Sequence, residues 1–407
     1  TIPYDLAYSF GWLNKAAEGF DETRRVFCRD GEIYMPGETF KQPDLAKTLK
    51  RIQKKGNAGF YEGKVAQALV KSSSKYGGSI TLEDLKNYTA RLRKPVLGSY
   101  RGLEVLSMPP PSSGGIALIS MLNMMEPMVF DSVGWHSAQH IQMLAEVEKR
   151  AYADRSVWLG DSDFFEVPQE KLLSKAYAAM RMADYDSLSV TPSDSIYPLN
   201  DRELADIQIE AHESEETTHF SVVDKWGNAV SVTTTLNWSF GSYVTVEGCG
   251  FLLNNEMDDF SSKPGEPNSF GLIGNDANAI EPQKRMLSSM TPTILTRDEK
   301  VVLVLGAPGG STIITTVLQV INNMVDFGMP VHDAVNVPRF HHQWRPDVIY
   351  YGPGAISHET MLVLSNMGYE FEPRYGYGEV NAISRDKIFG GWIGAPDLKT
   401  ASHGAAY

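Results

Sequence analysis

The sequence predicts a mixed protein of the α/β class, α+β in type, with helices gathered in its first half and strands in its second. Three observations carry this. Apolar residues recur at helical spacing up to about residue 160. After residue 217, apolar and polar residues alternate between turn signals. The composition, 42% hydrophobic and 21% charged over 407 residues, supplies enough apolar material for one large core or two. Strands need cover on both faces, and the helical half can supply it, so the two halves need not be two domains.

The elements follow in order. "QPDLAKTLKRIQKKG" places Leu45, Leu49 and Ile52 on one helix face, with Gly56 as the stop. "TLEDLKNY" opens with Thr81 and Asp84 at capping-box spacing. "LEVLSMPPPSSGG" reads as a strand, a rigid proline turn, then Ser112, Ser113, Gly114 and Gly115 before a helix. A long helix follows over 136–158, with Ile141, Leu144, Ala145, Ala151 and Tyr152 inward. Residues 180–216 are polar, acidic and aperiodic, and read as a long surface loop. Strands are expected at 218–223, 229–236, 248–253, 291–296 and 301–306, and a helix from about 311 to 327. There is no internal repeat and no low-complexity tract.

The formal net charge is -13. A single-sign acidic surface argues against a nucleic-acid backbone or an anionic membrane as partner and suits a protein that meets small substrates. The longest apolar candidate, "IALISMLNMMEPMVF", is interrupted by Asn123, Glu126 and Pro127, so no spanning helix is expected. The start, "TIPYDLAYSFGW", lacks the basic region and cleavage site of a signal peptide; it also lacks Met and does not read as a natural start. The two cysteines, Cys28 and Cys249, form no C-x-x-C; one bridge or two free thiols fit, and free thiols are the expectation.

The stretch "HESEETTHFSVVDKWGNAVSVTTT" carries the sharpest chemistry. An acidic run ends at Glu216, and a hairpin begins at Thr217, with a five-residue turn from Asp224 to Asn228 containing Gly227. If Val223 faces Ala229, Thr217 sits opposite Thr235, within side-chain interaction distance. A threonine hydroxyl is a poor nucleophile unless a base takes its proton. Its own α-amino group can do so once the preceding peptide bond is cut. The Glu216–Thr217 junction then reads as a self-cleavage site. Against this, Thr pairs are common in strands and usually carry no chemistry.

Other motifs are weaker singly. "VVLVLGAPGGSTIITTVLQVI" is a strand, a Gly-rich turn and a helix, and Gly309 and Gly310 can aim backbone N–H groups at an anion. The lysine of a P-loop is missing, so the anion could be a transient oxyanion; the plain reading is a tight connection. "LLNNEMDDF" places Glu256, Asp258 and Asp259 after a strand, where carboxylates could hold an ammonium group or simply face solvent. "KRMLSSMTPT" places Ser288 and Ser289 before a strand, as a carboxylate grip or as turn caps. "NWSFG" departs from a nucleophile elbow because Asn237 replaces the first glycine. "HHQW" at 341–344 lacks metal-ligand spacing. "SSKPGEPNSFGLIGNDAN" reads as a mobile loop that can cover a site.

Together these pieces resemble the γ-glutamyltranspeptidase family of N-terminal-nucleophile hydrolases. The resemblance spans the whole chain and rests on "TTHFSVVD", "LLNNEMDDFSSKPG", "KRMLSSMTPTI", "GAPGGSTIITTVLQ", "PRFHHQW", "SMPPPSSGGI" and "AEVEKRAYADRSVWLGD" in that family's order. It implies a four-layer αββα sandwich and a proenzyme that cuts itself. Residues 1–216 would belong to the large subunit and 217–407 form the small one, interleaved as one domain and paired as a heterodimer. Matched by position, Thr217 is the nucleophile, Thr235 its hydrogen-bond partner, and Gly309 with Gly310 the oxyanion hole. Asn237, Glu256 and Asp259 match the residues that bind a substrate α-amino group, and Ser288 and Ser289 those for its α-carboxylate. Residues 263–274 match a lid, with Phe270 where relatives often carry Tyr.

The implied substrates are glutathione and other γ-glutamyl compounds, with water, an amino acid or a peptide as acceptor. No cofactor or metal is implied, and the implied location is periplasmic or extracellular. The family's Gly-rich stretch near "GGG", with an Arg that pairs with the substrate carboxylate, has no match here. Position 256 is Glu where some relatives have Gln. The rival readings are an acylase of the same fold and a catalytically silent relative that acts as a binding protein.

Overall fold

The computed structural model describes residues 1–29, 31–199, 217–374, 378–386, 388–399 and 402–406. It divides into two compact units, one of Thr1–Leu92 with Leu236–Asn255, the other of Arg93–Thr235 with Glu256–Tyr407.

The first unit is helical: α1 (Tyr4–Ala16), α2 (Asp21–Phe27), α3 (Pro43–Lys55), α4 (Ala58–Tyr61), α5 (Gly63–Lys75) and α6 (Leu82–Asn87). Thr81 and Asp84 form the expected capping box at α6. One core gathers Phe10, Leu13, Phe27 and Phe240, and a second gathers Val65, Leu69, Leu85 and Val246. In α3 the expected apolar face is used only in part, with Leu45 and Ile52 half-buried. Leu49 is exposed and Thr48 is buried, donating its hydroxyl hydrogen bond to the Cys249 carbonyl at 2.9 Å. The strand expected at 248–253 is also absent. Gly248 and Gly250 have φ of 69° and 75°, which curl the segment into a turn closed by a lone bridge between Thr245 and Leu252. Cys28 and Cys249 are both buried free thiols.

The second unit is built on a six-stranded sheet. Its strands are β1 (Val96–Tyr100), β2 (Leu103–Ser107), β5 (Thr293–Arg297), β6 (Lys300–Leu305), β10 (Asn381–Arg385) and β11 (Trp392–Pro396), antiparallel in the order β1-β2-β5-β6-β10-β11. The hairpin β3 (Thr217–Val223) and β4 (Ala229–Thr235) packs against β6 and β10. A small sheet joins β7 (Phe340–His341), β8 (Ile349–Tyr351) and β9 (Phe371–Pro373). The helices are α7 (Gly114–Met125), α8 (Ala138–Trp158), α9 (Gln169–Leu172), α10 (Lys175–Arg181), α11 (Thr312–Val325), α12 (Val331–Asn336) and α13 (His358–Asn366). Helix α7 packs on β1, β2, α8 and α11, and its residues are buried throughout. Thus strands from both sides of position 217 share one sheet.

Helix α8 buries more than the expected face. Glu146, Lys149 and Arg150 are inside as well, satisfied by ion pairs from Glu146 to Lys149 at 2.7 Å and to Arg150 at 2.6 Å. The segment read as a surface loop also differs where it is described. Ile196 and Leu199 are buried, the Leu199 N–H donates to Asp154 and its carbonyl accepts from Trp158 Nε1, so the chain is pinned on α8. Residues 200–216, including Glu216, lie outside the described residues.

Candidate functional site

The hairpin adopts the register that the Asp224–Asn228 turn implies, opposing Thr217 to Thr235 and Val223 to Ala229. Asp224 organises the turn by accepting the N–H bonds of Trp226 and Asn228. The Thr217 hydroxyl donates to Thr235 Oγ1 at 3.2 Å. Two residues on, His219 points inward and bonds Thr233 and Ser221. Burial pushes its imidazole down to about 4, so it is neutral at pH 7. The Ser221 hydroxyl then donates to the Asn381 carbonyl, and Asn381 Nδ2 donates to the His219 carbonyl, fixing to β10 the strand that begins with Thr217. A cleft of about 350 Å³ opens along this strand, lined by Thr217, His219, Pro308, Glu379 and Asn381.

The Gly-rich turn joins β6 to α11. Gly309 and Gly310 have φ of 128° and 51°, a region L side chains rarely enter. The Gly309 carbonyl is held by Thr312 through its N–H at 2.9 Å and its hydroxyl at 2.7 Å. Among the described residues neither glycine N–H donates a hydrogen bond, which leaves both available to an anion. The buried Phe270 ring lies over Gly310, where an added Cβ would come within 2.8 Å of it. Gln343 fastens this arrangement. Its Nε2 donates to the Phe270 and Gly271 carbonyls, both at 3.3 Å, and its Oε1 accepts from Ser311 at 2.7 Å.

Glu256, Asp258 and Asp259 share one 3-10 turn. Burial raises Glu256 to about 7. Asp259 rises to about 8, first through burial and then through the like charge of Glu256, with Arg155 opposing. Asp258 instead accepts from the Ser269 hydroxyl, next to Phe270. Asn278 ties the turn to the serine pair: its Nδ2 donates to the Asp259 carbonyl at 2.7 Å and its Oδ1 accepts from the Leu287 N–H at 2.9 Å. Ser288 is clamped by backbone bonds to Pro111 and Ser113. Its hydroxyl accepts from the Met290 N–H, and the Ser289 hydroxyl accepts from Arg155.

Thus Thr217 meets Thr235, Gly310 meets Phe270, and Glu256 and Asp259 share a turn whose field reaches Arg155. Asn237 belongs to the first unit, buried at φ 76° with Nδ2 donating to the Asn255 carbonyl at 3.2 Å. Glu216 is outside the described residues. Four contributors escaped the sequence reading: Arg155, Ser113, Asn278 and Gln343. The signal for Arg155 was a charged residue next to the inward stripe of a long helix. Gln343 sat inside "HHQW", a motif weighed only for metal ligation.

The gamma-glutamyltranspeptidase family model matches residues 7–407. A glutathione hydrolase proenzyme of Escherichia coli is 46% identical over 363 residues, covering 89% of this chain and 61% of the relative. One from Pseudomonas aeruginosa is 48% identical, over 86% of this chain and 62% of the relative. A solved cephalosporin acylase from Bacillus halodurans aligns over 100% of this chain and 71% of its own, with a TM-score of 0.83 at 23% identity, and so shares its fold. The chain spans about three-fifths of the length of the curated relatives it matches. With that match running almost from end to end, the chain belongs to the γ-glutamyltranspeptidase family.

Proposed function

We propose that this chain carries the nucleophile of a glutathione hydrolase and γ-glutamyltransferase that first cuts itself between Glu216 and Thr217. The observation that carries this reading is the Thr217 hydroxyl, first in its strand, hydrogen-bonded to Thr235. In the cut, the hydroxyl adds to the Glu216 carbonyl and the resulting ester takes up water. Glu216 is left as a carboxylate and Thr217 with a free amine. That amine then serves as the base. Thr217 Oγ attacks the γ-carbonyl of glutathione, its proton passes through the amine to the departing nitrogen, and a γ-glutamyl ester remains. The Gly309 and Gly310 N–H groups steady the oxyanion. Water, or the amine of an amino acid or peptide, opens the ester and returns the proton.

Glu256 and Asp259 take the substrate ammonium, Ser288 and Ser289 its carboxylate, and Phe270 covers the centre. The 1–216 and 217–407 pieces act as paired subunits, and the place of action is the periplasm or cell exterior. Among the described residues no helix is long and apolar enough to cross a membrane.

Intact mass, N-terminal sequencing and release of aniline from a γ-glutamyl anilide test the reading together. Wild type yields a fragment beginning Thr217-Thr218-His219 and turns the anilide over; Thr217→Ala does neither. A single uncut, inactive wild-type chain overturns it.

A further inference from the structure

Arg155 is a charged side chain in the last turn of α8, only 5% exposed. Its Nε donates to Ser113 Oγ at 3.0 Å and its Nη2 to Ser289 Oγ at 3.3 Å. Ser113 in turn holds the Ser288 carbonyl through its N–H at 2.7 Å and its hydroxyl at 2.8 Å. Ser112 grips the same strand at the Ser288 and Met290 carbonyls. The guanidinium therefore spans the turn before α7 and the serine pair that the turn clamps. Guanidinium stays protonated in proteins, so this is a buried positive charge. The groups whose fields it meets are Tyr152 and Asp259. Asp259 in turn meets Glu256 and Asp258.

Direction matters at Ser289. A hydroxyl that accepts a hydrogen bond from a cation is polarised and keeps its own proton free to donate. Among the described residues the Ser289 hydroxyl has no acceptor of its own.

We infer that Arg155 is a positioning residue for α-carboxylate recognition: it turns and polarises the Ser289 hydroxyl into a strong donor toward an anion. The inference rests on the function proposed above and adds a residue to it. Arg155 acts through Ser289 rather than by touching the substrate.

The test compares the γ-glutamyl anilide with 4-aminobutanoyl anilide, which keeps the amine and the scissile bond but lacks the carboxylate. Arg155→Met is expected to raise KM for the first ~10–100-fold, the range of one charge-assisted bond, with kcat little changed. For the second, kcat/KM stays within about twofold of wild type. Combined with Ser289→Ala, Arg155→Met adds little to the loss on the first substrate. Self-cleavage reports folding in each variant. Equal losses on both anilides, or additive losses with Ser289→Ala, overturn the inference and leave the reaction standing. Absence of turnover in wild type overturns the reaction itself, and this inference with it.

Discussion

At the scale of the residue, the two carboxyls of the 3-10 turn are the most sensitive groups. With Glu256 near 7 and Asp259 near 8, both hold protons for part of the time at neutral pH. An ammonium placed beside them favours the charged forms, so binding expels protons. Affinity for free glutamate is expected to rise from pH 6 to 8, and calorimetry in buffers of different ionisation heat should show net proton release. Proton uptake would contradict the ammonium role.

The same raised values make the folded state bind protons that the unfolded chain has already lost. Their contribution to stability is complete below about pH 4 and fades as pH rises through 7 and 8. Asp259→Asn removes that loss. Relative to wild type it should gain up to about 4 kcal/mol, read as a rise in Tm, between pH 5 and pH 9. Turnover of a γ-glutamyl anilide should fall at least tenfold in the same variant. The grouping of these carboxyls was legible, because Glu256, Asp258 and Asp259 stand almost side by side in the sequence. Arg155 was not: its meaning comes from Ser289, far along the chain, and periodicity assigns a face to a helix without saying what occupies it.

Among elements, the Gly-rich turn is where shape decides. Gly310→Ala meets both a positive φ and the Phe270 ring, so the ring must move or the turn must unwind. It should cost roughly 1–3 kcal/mol of stability and most of the turnover. Gln343→Ala tests the fastening from the other side. Cutting the links from Ser311 to Phe270 and Gly271 should leave self-cleavage intact and speed limited proteolysis within 263–274. Unchanged proteolysis would mean that Phe270 packing alone holds the loop.

Hairpin, capping box and Gly-rich helix entry were legible because each is written in a few adjacent residues. The strand β10 was not foreseen, because its pairing with β6 depends on partners about eighty residues away, and β11 in turn pairs with β10. The expected strand at 248–253 failed because glycine geometry outweighed β propensity there.

For the whole molecule, the decisive fact is that neither unit lies on one side of position 217. The six-stranded sheet takes β1 and β2 from before it and four strands from after it, joined where Glu104 to Ser107 pair with Thr293 to Thr296. The helical unit does the same, for Thr23 bonds Thr245 and Thr48 bonds Cys249. The two products of cleavage should therefore co-migrate in native size exclusion and separate only in denaturant. Independent elution in native buffer would contradict the shared sheet. A second test is the buried pair between Arg339 and Asp397 at 2.7 Å. Asp397→Ala removes the carboxylate beside a buried cation and should cost about 3–5 kcal/mol in urea unfolding.

The β2–β5 ladder also sets an order of events in time. While the chain is continuous, closing that ladder is a first-order step whose loop entropy grows only slowly with length. Once the chain is cut, the same closure becomes a meeting of two molecules, and its rate falls with dilution. A denatured, processed sample should thus refold with a concentration-dependent half-time, whereas the uncut Thr217→Ala chain should not. The cut is in that sense a ratchet: assembly must come first, because afterwards it is no longer the same reaction.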